Sequence, residues 1–346
     1  MDIVVLALLV GCFILLLSRG GGMRRYTGGP LRGHCVAQLR HGDRGVHVLT
    51  VAEGLGLVSS GLGHICVWKK DASRGLKSCG ERFASTFAAL PGGRFATAGK
   101  RWLVEVWDAG SGQSLHKLRG HNDAVCCVAA LPGGLLASGS YDHTVRIWSA
   151  ATGAHVATLE GHKGGMNALA ALPSGRLASG SDDNTVRLWS VATRACSQVL
   201  HHPHRVLALA VLDGGRLASG CADSRIHIWS LAGGVEEAVL EGHANSVCSL
   251  AALPSGLLAS GSYDTTVRVW DVGARACVAV LEGHEREVFA LAALPDGRLA
   301  SGAPEDPVIR VWALTAPGSP EDAAAVAAAA GAAAAAARGV RVEHAG

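Results

Sequence analysis

A unit of about forty residues recurs along this chain, and self-similarity at a fixed period decides the architecture before any local reading does. Gly161 to Trp189 reads GHKGGMNALAALPSGRLASGSDDNTVRLW, and near copies run from Gly120 to Trp148, from Gly242 to Trp270 and from Gly283 to Trp312. A looser copy runs from His201 to Trp229. Trp68, Trp107, Trp148, Trp189, Trp229, Trp270 and Trp312 end successive units at spacings of 39 to 42 residues. The remaining tryptophan, Trp102, falls inside the second unit.

Each well-formed unit reads as short strands separated by turn chemistry. In the fourth, Met166 to Leu172 is apolar and stops at Pro173-Ser174-Gly175; Arg176 to Ser181 follows, and Asp182-Asp183-Asn184 turns the chain again. Thr185 to Trp189 alternates with period two, the pattern of a half-buried strand. Ala192-Thr193-Arg194 turns once more, and Cys196 to Leu200 supplies a fourth, outer strand.

Units three to seven keep four side chains at fixed offsets. They are His121, Ser138, Asp142 and Trp148; His162, Ser179, Asp183 and Trp189; His202, Ser219, Asp223 and Trp229; His243, Ser260, Asp264 and Trp270; and His284, Ser301, Asp306 and Trp312. A Gly-His start, an L-P-x-G-x-L-A-S-G-S-x-D body and a Trp end make the chain resemble the WD-repeat family. That resemblance implies an all-β fold, a seven-bladed propeller of four-stranded antiparallel blades over residues 31–316. It also implies that the four recurring residues form a hydrogen-bonded tetrad in each blade. Their chemistry suits a relay, since indole N–H only donates, hydroxyl and imidazole do both, and carboxylate accepts. A catalytic Ser/His/Asp reading fails on repetition: five copies of a triad serve no reaction, while five structural staples do.

Units one and two depart from the pattern. Gly80 stands where the second His belongs, Thr97 fits the hydroxyl position and Arg101 replaces the Asp. In unit one His41 is poorly placed and no Asp precedes Trp68 at the right offset. Leu90-Pro91-Gly92-Gly93 still matches the turn after the innermost strand, and terminal repeats are often atypical. After Trp312 no outer strand follows, whereas Gly33-His34-Cys35-Val36-Ala37-Gln38-Leu39-Arg40 reads like Gly153 to Glu160. Residues 35–40 are therefore expected to complete the last blade, the family's closure device, which removes an open edge. Residues 317–346 read as a low-complexity tail, alanine-rich without a polar/apolar face to dock.

Net charge is +3, with both signs interleaved, which gives no nucleic-acid footprint. The ten cysteines form no C-x-x-C pair, and those inside strands read as buried free thiols, suited to a reducing compartment. Ile3 to Leu17 carries no charge and is followed by Arg19, Arg24 and Arg25. Its fifteen helical residues would span about 22 Å against a hydrocarbon core of roughly 30 Å. The leading expectation is a membrane anchor, a transmembrane helix with the propeller on the cytoplasmic side. A cleaved signal or an inert segment, and hence a soluble cytoplasmic protein, are the alternatives.

The resemblance also implies that the Gly-His loops and the turns before the third strands share one face, the top. Residues there that do not repeat are the informative ones: Tyr141, Lys163, Asp182, His204, Tyr263 and Arg286. Aromatics and arginine dominate binding hot spots, so these residues are the candidate partner surface, although the two tyrosines would equally serve to cover their own turns. His201-His202-Pro203-His204 lacks a Cys or carboxylate at ligand spacing, so neither metal nor cofactor is expected. The functional expectation is a non-catalytic protein-interaction scaffold. A ubiquitin-binding or ligase-associated adaptor is the alternative, because the L-P-x-G-x-L-A-S-G-S repeats resemble those of the phospholipase A2-activating protein family. Ligase receptors carry Trp-Asp-x-Arg, and here Trp107 and Trp270 lead instead into Asp108-Ala109-Gly110 and Asp271-Val272-Gly273.

Overall fold

The structure is a computed structural model. It describes residues 7–8, 13–14, 30–40, 45–52, 56–61, 65–68, 75–76, 84–99, 102–173 and 175–317, with positions 319, 321, 322, 324, 326 and 328 of the tail. Seven four-stranded antiparallel sheets follow one another as the blades of a ring. Within a blade the strands run a to d from the centre outwards. In the fourth they are Met166–Ala171, Arg176–Ser181, Thr185–Ser190 and Ala195–His201. The inner three are buried almost throughout, while strand d alternates exposed and half-buried residues, as an outer edge should.

The Ser-Gly-Ser end of strand b explains how closely the blades pack. A Cβ on Gly180 would lie 2.7 Å from Val206 Cγ1 of the next blade, and one on Gly220 would lie 2.8 Å from Val247 Cγ1. The same contact crosses from the last blade to the first, where Gly302 faces Val46 Cγ1 at 2.7 Å. Glycine is thus required at a position where any side chain would push neighbouring blades apart. Beneath these contacts Trp148, Trp189 and Trp270 are among the largest fully buried side chains.

The ring closes as the sequence predicts, with a longer strand. Arg32–Arg40 pairs antiparallel with Val308–Thr315, from Arg32 opposite Thr315 to Arg40 opposite Val308. The two atypical units also form four-stranded blades. Ser59 takes the register of Ser138, since Leu57 faces Trp68 as Leu136 faces Trp148.

Asp322, inside the stretch read as a low-complexity tail, is buried against the closing strand. One of its carboxylate oxygens lies 2.8 Å from His34 Nε2 and accepts from the Thr315 hydroxyl at 2.8 Å. Its backbone N–H donates to Ser319 Oγ at 3.0 Å, an N-cap bond that starts a helical turn. The signal was present in Ser319-Pro320-Glu321-Asp322, a helix-start pattern with Pro at the first helical position.

The expected membrane segment, residues 3–17, lies outside the described residues apart from Ala7–Leu8 and Phe13–Ile14, which pair as two short parallel strands. Among the described residues no helix is long and apolar enough to cross a membrane.

Deleting residues 31–40 would strip strand d from the last blade and reopen the ring, so the whole propeller should melt cooperatively at a lower temperature. An unchanged melting temperature would refute the closure. Asp322→Ala should act in the same direction by about 1–3 kcal/mol, the cost of leaving buried donors unpaired, read by denaturant titration.

Candidate functional site

Each tetrad begins with a tryptophan in strand c and ends at the turn between strands b and c. In the fourth blade Trp189 Nε1–H donates to Ser179 Oγ at 2.7 Å, and Ser179 Oγ lies 2.7 Å from His162 Nε2. His162 Nδ1 lies 2.8 Å from Asp183 Oδ2. One consistent proton order satisfies every group: indole to hydroxyl, hydroxyl to imidazole, imidazole to carboxylate. Asp183 also accepts from Lys163 N–H at 2.9 Å and from the Thr185 hydroxyl at 2.6 Å. The network therefore ties the Gly-His loop, strands b and c and the turn between them into one unit.

The third and sixth blades repeat this arrangement. Trp148 reaches Ser138 at 2.8 Å, and His121 spans Ser138 and Asp142 at 2.8 Å each. Trp270, Ser260, His243 and Asp264 connect at 2.7 Å throughout. In the seventh blade Trp312 and His284 each reach Ser301 at 2.7 Å, and His284 lies 3.0 Å from Asp306. There Val308 stands where the third, fourth and sixth blades have Thr, and Arg310 Nη1 supplies the missing donor to Asp306 at 2.5 Å. In the second blade Trp107 Nε1–H donates to Thr97 Oγ1 at 2.9 Å, the same indole-to-hydroxyl link.

The serine, histidine and aspartate of each network sit as they would in a catalytic triad. Yet the serines are fully buried, and their oxygen already accepts from indole, so no substrate carbonyl can reach them. Burial opposes ionisation of Asp142, but Thr144, the Asn122 N–H and His121 together hold its carboxyl down at about 2. Asp264 and Asp306 are likewise held at about 2 by their hydrogen bonds, against the effect of burial. Desolvation depresses His121, His243 and His284 below the usual imidazole value, which favours the neutral imidazole beside an ionised carboxylate.

The fifth blade departs from the expected tetrad. Trp229 Nε1–H points between Ser219 Oγ at 3.1 Å and His202 Nε2 at 3.0 Å, and His202 Nε2 lies 2.7 Å from Ser219 Oγ. His202 Nδ1, however, faces the Leu200 carbonyl at 3.3 Å rather than Asp223. Asp223 turns instead towards His227 Nε2, 3.4 Å away, and Arg225 N–H donates to it at 3.1 Å. Two substitutions account for this: Arg225 stands where the third, fourth and sixth blades offer a threonine hydroxyl, and His227 stands where those blades carry arginine. Desolvation, helped by the neighbouring His227, lowers His202 to about 4.

The b–c turns are joined to the preceding loops by one repeated backbone bond. Tyr141 N–H donates to Ala124 O, Asp182 to Gly165 O, Ala222 to Arg205 O and Tyr263 to Ser246 O, at 2.9, 2.9, 3.0 and 3.0 Å. Tyr141, Asp182, Ala222 and Tyr263 thus occupy the same position in four consecutive blades, and their side chains are what varies. Tyr141 is 45% exposed and Tyr263 38%. Cys126 and burial push the Tyr141 phenol up to about 12, so it stays a hydrogen-bond donor. Tyr263 packs edge-on against Phe289, with ring centroids 5.0 Å apart.

Lys163 and His204 are exposed beside this row, and Arg286 Nη2 lies 3.5 Å from Glu305 Oε2 at the seventh blade. Asp182 Oδ1 accepts from Asn167 Nδ2 at 2.9 Å and lies 3.9 Å from Arg205 Nη1. Arg205, Asn167 and Phe289 belong to the same surface and were not singled out in the sequence. For Asn167 and Phe289 the signal was available, because Cys126, Asn167, Leu207, Cys248 and Phe289 are a second column of equivalent positions whose residue type varies.

The family model for the IFT122 first beta-propeller matches residues 91–314. The crystal structure of the WD40 beta propeller domain of Doa1 superposes with a TM-score of 0.73 at 23% identity, covering 83% of this chain and 98% of that one. At that identity the likeness is one of fold. No curated protein matches the chain.

Two outcomes follow from the tetrads. Ser179→Ala removes the acceptor for Trp189 and should cost about 1–3 kcal/mol of stability, read as a lower denaturation midpoint with circular dichroism still native. No change in midpoint would show that the network contributes nothing. A histidine whose pKa is lower folded than unfolded stabilises above its unfolded value, near 6.5, and that contribution is lost as pH falls through the folded value. For His202 that value is about 4. Melting temperature should therefore decline between pH 6.5 and 4, ahead of the carboxylates held at about 2. A flat profile down to pH 4 would contradict it.

Proposed function

The chain belongs to the WD-repeat β-propeller family, as described by the IFT122 first-propeller model, and from that premise we propose that it is a non-catalytic scaffold holding a protein or peptide partner on its top face. WD40 propellers in general bind other proteins. The observation that carries the finer reading is the row of top-face positions, identical in backbone and different in side chain. A stability requirement would have kept that row uniform, as it did the tetrads. Instead it offers two exposed tyrosines, three blades apart, around a small Ala222 and beside an acidic Asp182.

Tyrosine suits such a role because it brings large contact area and a donor at low entropic cost. Arg205, Lys163 and Arg286 add cationic groups around the rim, and the exposed pairs that Arg205 and Arg286 form are worth little in the free protein. They are therefore available to a partner's carboxylates.

The partner is the open quantity, and ubiquitin is the first defined probe because the repeats resemble those of a ubiquitin-binding family. The full chain and the Tyr141→Ala/Tyr263→Ala variant are compared in pull-downs against immobilised ubiquitin and against a cell lysate. The double variant, with an unchanged melting temperature, should lose captured partners by about tenfold or more. Retention of every partner would overturn the top-face assignment.

A further inference from the structure

We propose that the fifth blade binds one divalent cation of the zinc class through Cys221 Sγ, a carboxylate oxygen of Asp223 and Nε2 of His227, with Glu236 fixing the imidazole from behind. The three ligand atoms all lie within 4.8 Å of one another, and no other such group converges among the described residues. His227 Nε2 and Asp223 Oδ2 are already 3.4 Å apart. Zinc bonds of about 2.0–2.3 Å in a tetrahedron place ligand atoms roughly 3.3–3.8 Å apart, so a small rotation of the thiol completes the set. Cys221 is fully buried, and the side chains of His227 and Asp223 are 5% and 7% exposed.

The positions of these residues within the repeat carry the inference further. Cys221 occupies the place of Ser140, Ser181 and Ser262, and His227 that of Arg146, Arg187, Arg268 and Arg310. The serine has a structural task in its own blades. Ser181 Oγ donates to Gly164 O at 3.0 Å and accepts from Asp183 N–H at 3.1 Å. Cys221 Sγ performs neither, finding only the Ser219 carbonyl at 4.0 Å.

The arginine is linked to the glycine of Gly-His. A Cβ on Gly161 would sit 2.9 Å from Arg187 Nη1, with φ +143°, and one on Gly120 would sit 2.7 Å from Arg146 Nη1. The fifth blade has His201 at that position and no arginine to make room for. Serine, arginine and glycine were thus exchanged together in one blade, while Asp223 was kept.

Electrostatics decides what the exchange is for. His227 Nδ1 is in hydrogen-bond contact with Glu236 Oε1, the carboxylate–imidazole pairing that orients metal-bound histidines. With Nδ1–H donated to Glu236, the Nε2 lone pair faces a carboxylate and a sulfur, three acceptors turned towards one point. A doubly charged cation between Asp223 carboxylate and Cys221 thiolate gives a neutral cluster, the condition for burying charge. Burial raises the Cys221 thiol far above its ordinary value, so binding requires the thiol proton to leave for solvent as the metal–sulfur bond forms. His202 stays with Ser219 and Trp229, which leaves the fourth position to water. The rival arrangement, a proton on Nε2 making an imidazolium between Asp223 and Glu236, uses both carboxylates but gives the thiol no role.

The experiment uses the purified full chain, stripped with a chelator and titrated with Co²⁺, then Zn²⁺. One equivalent of Co²⁺ should bind, with visible bands of a four-coordinate ion and a thiolate charge-transfer band in the near ultraviolet, and Zn²⁺ should displace it. Cys221→Ser and His227→Arg each install the residue that the neighbouring blades carry. Each should abolish the charge-transfer band and weaken binding more than tenfold, while the far-ultraviolet dichroism stays native. Glu236→Gln should weaken binding about 10–100-fold with the band retained. Absence of stoichiometric binding, or a charge-transfer band surviving in Cys221→Ser and His227→Arg, overturns the proposal.

Discussion

The structure depends on a hydrogen bond from an indole to a buried hydroxyl. Trp148, Trp189, Trp270 and Trp312 each place a large ring in a blade's interior, and each carries one N–H that must find an acceptor there. An unpaired buried donor costs about 1–3 kcal/mol, comparable to a large part of a domain's net stability. The serine that satisfies it must be satisfied in turn, which draws in the histidine, and the histidine draws in the aspartate. The demand therefore travels from the interior to the top loop, and the loop is fixed as a consequence of packing the tryptophan. Because a partly satisfied network costs stability, a change at one member has to be met elsewhere in the blade.

That rule makes the exceptions informative. The seventh blade loses the threonine donor and recovers it from Arg310, so its network stays whole. The fifth blade loses both threonine and arginine and reorganises: Asp223 leaves His202, and a second acidic partner, Glu236, contacts His227 from strand d. A repeated scaffold thus allows one blade to differ, since six neighbours hold the ring around it.

Closure works by the same economy of satisfied groups. A ring of separate sheets has one seam, and here the seam lies inside a blade, where Arg32–Arg40 and Val308–Thr315 pair along their length. Asp322 adds a side-chain tie between His34 and Thr315, one residue from each side of that seam. Two segments nearly a whole chain apart are thereby held by backbone bonds and by one buried carboxylate.

The repeat period, the turn chemistry and the fixed offsets of His, Ser, Asp and Trp determined the seven blades and the closing strand. Such features recur at constant spacing, and each has a local cause in strand alternation or in a donor that needs an acceptor. The same spacing placed Tyr141, Tyr263 and Asp182 on one rim. What spacing did not settle was which neighbour each polar atom would choose. Asp223 sits at the tetrad offset and turns elsewhere, because His227 is nearer than His202 once the strand-c arginine is gone. Asp322 lies in a stretch of low complexity and is buried, because the closing strand brings His34 to it from the other end of the chain. Cys221, Asp223 and His227 are separated by turn residues of no evident pattern, and only the hairpin between strands b and c aims their ligand atoms at one point. Sequence determined the unit and its count, since these rest on local periodicity; tertiary structure alone decided these partnerships, since they rest on where side chains turn within a folded blade.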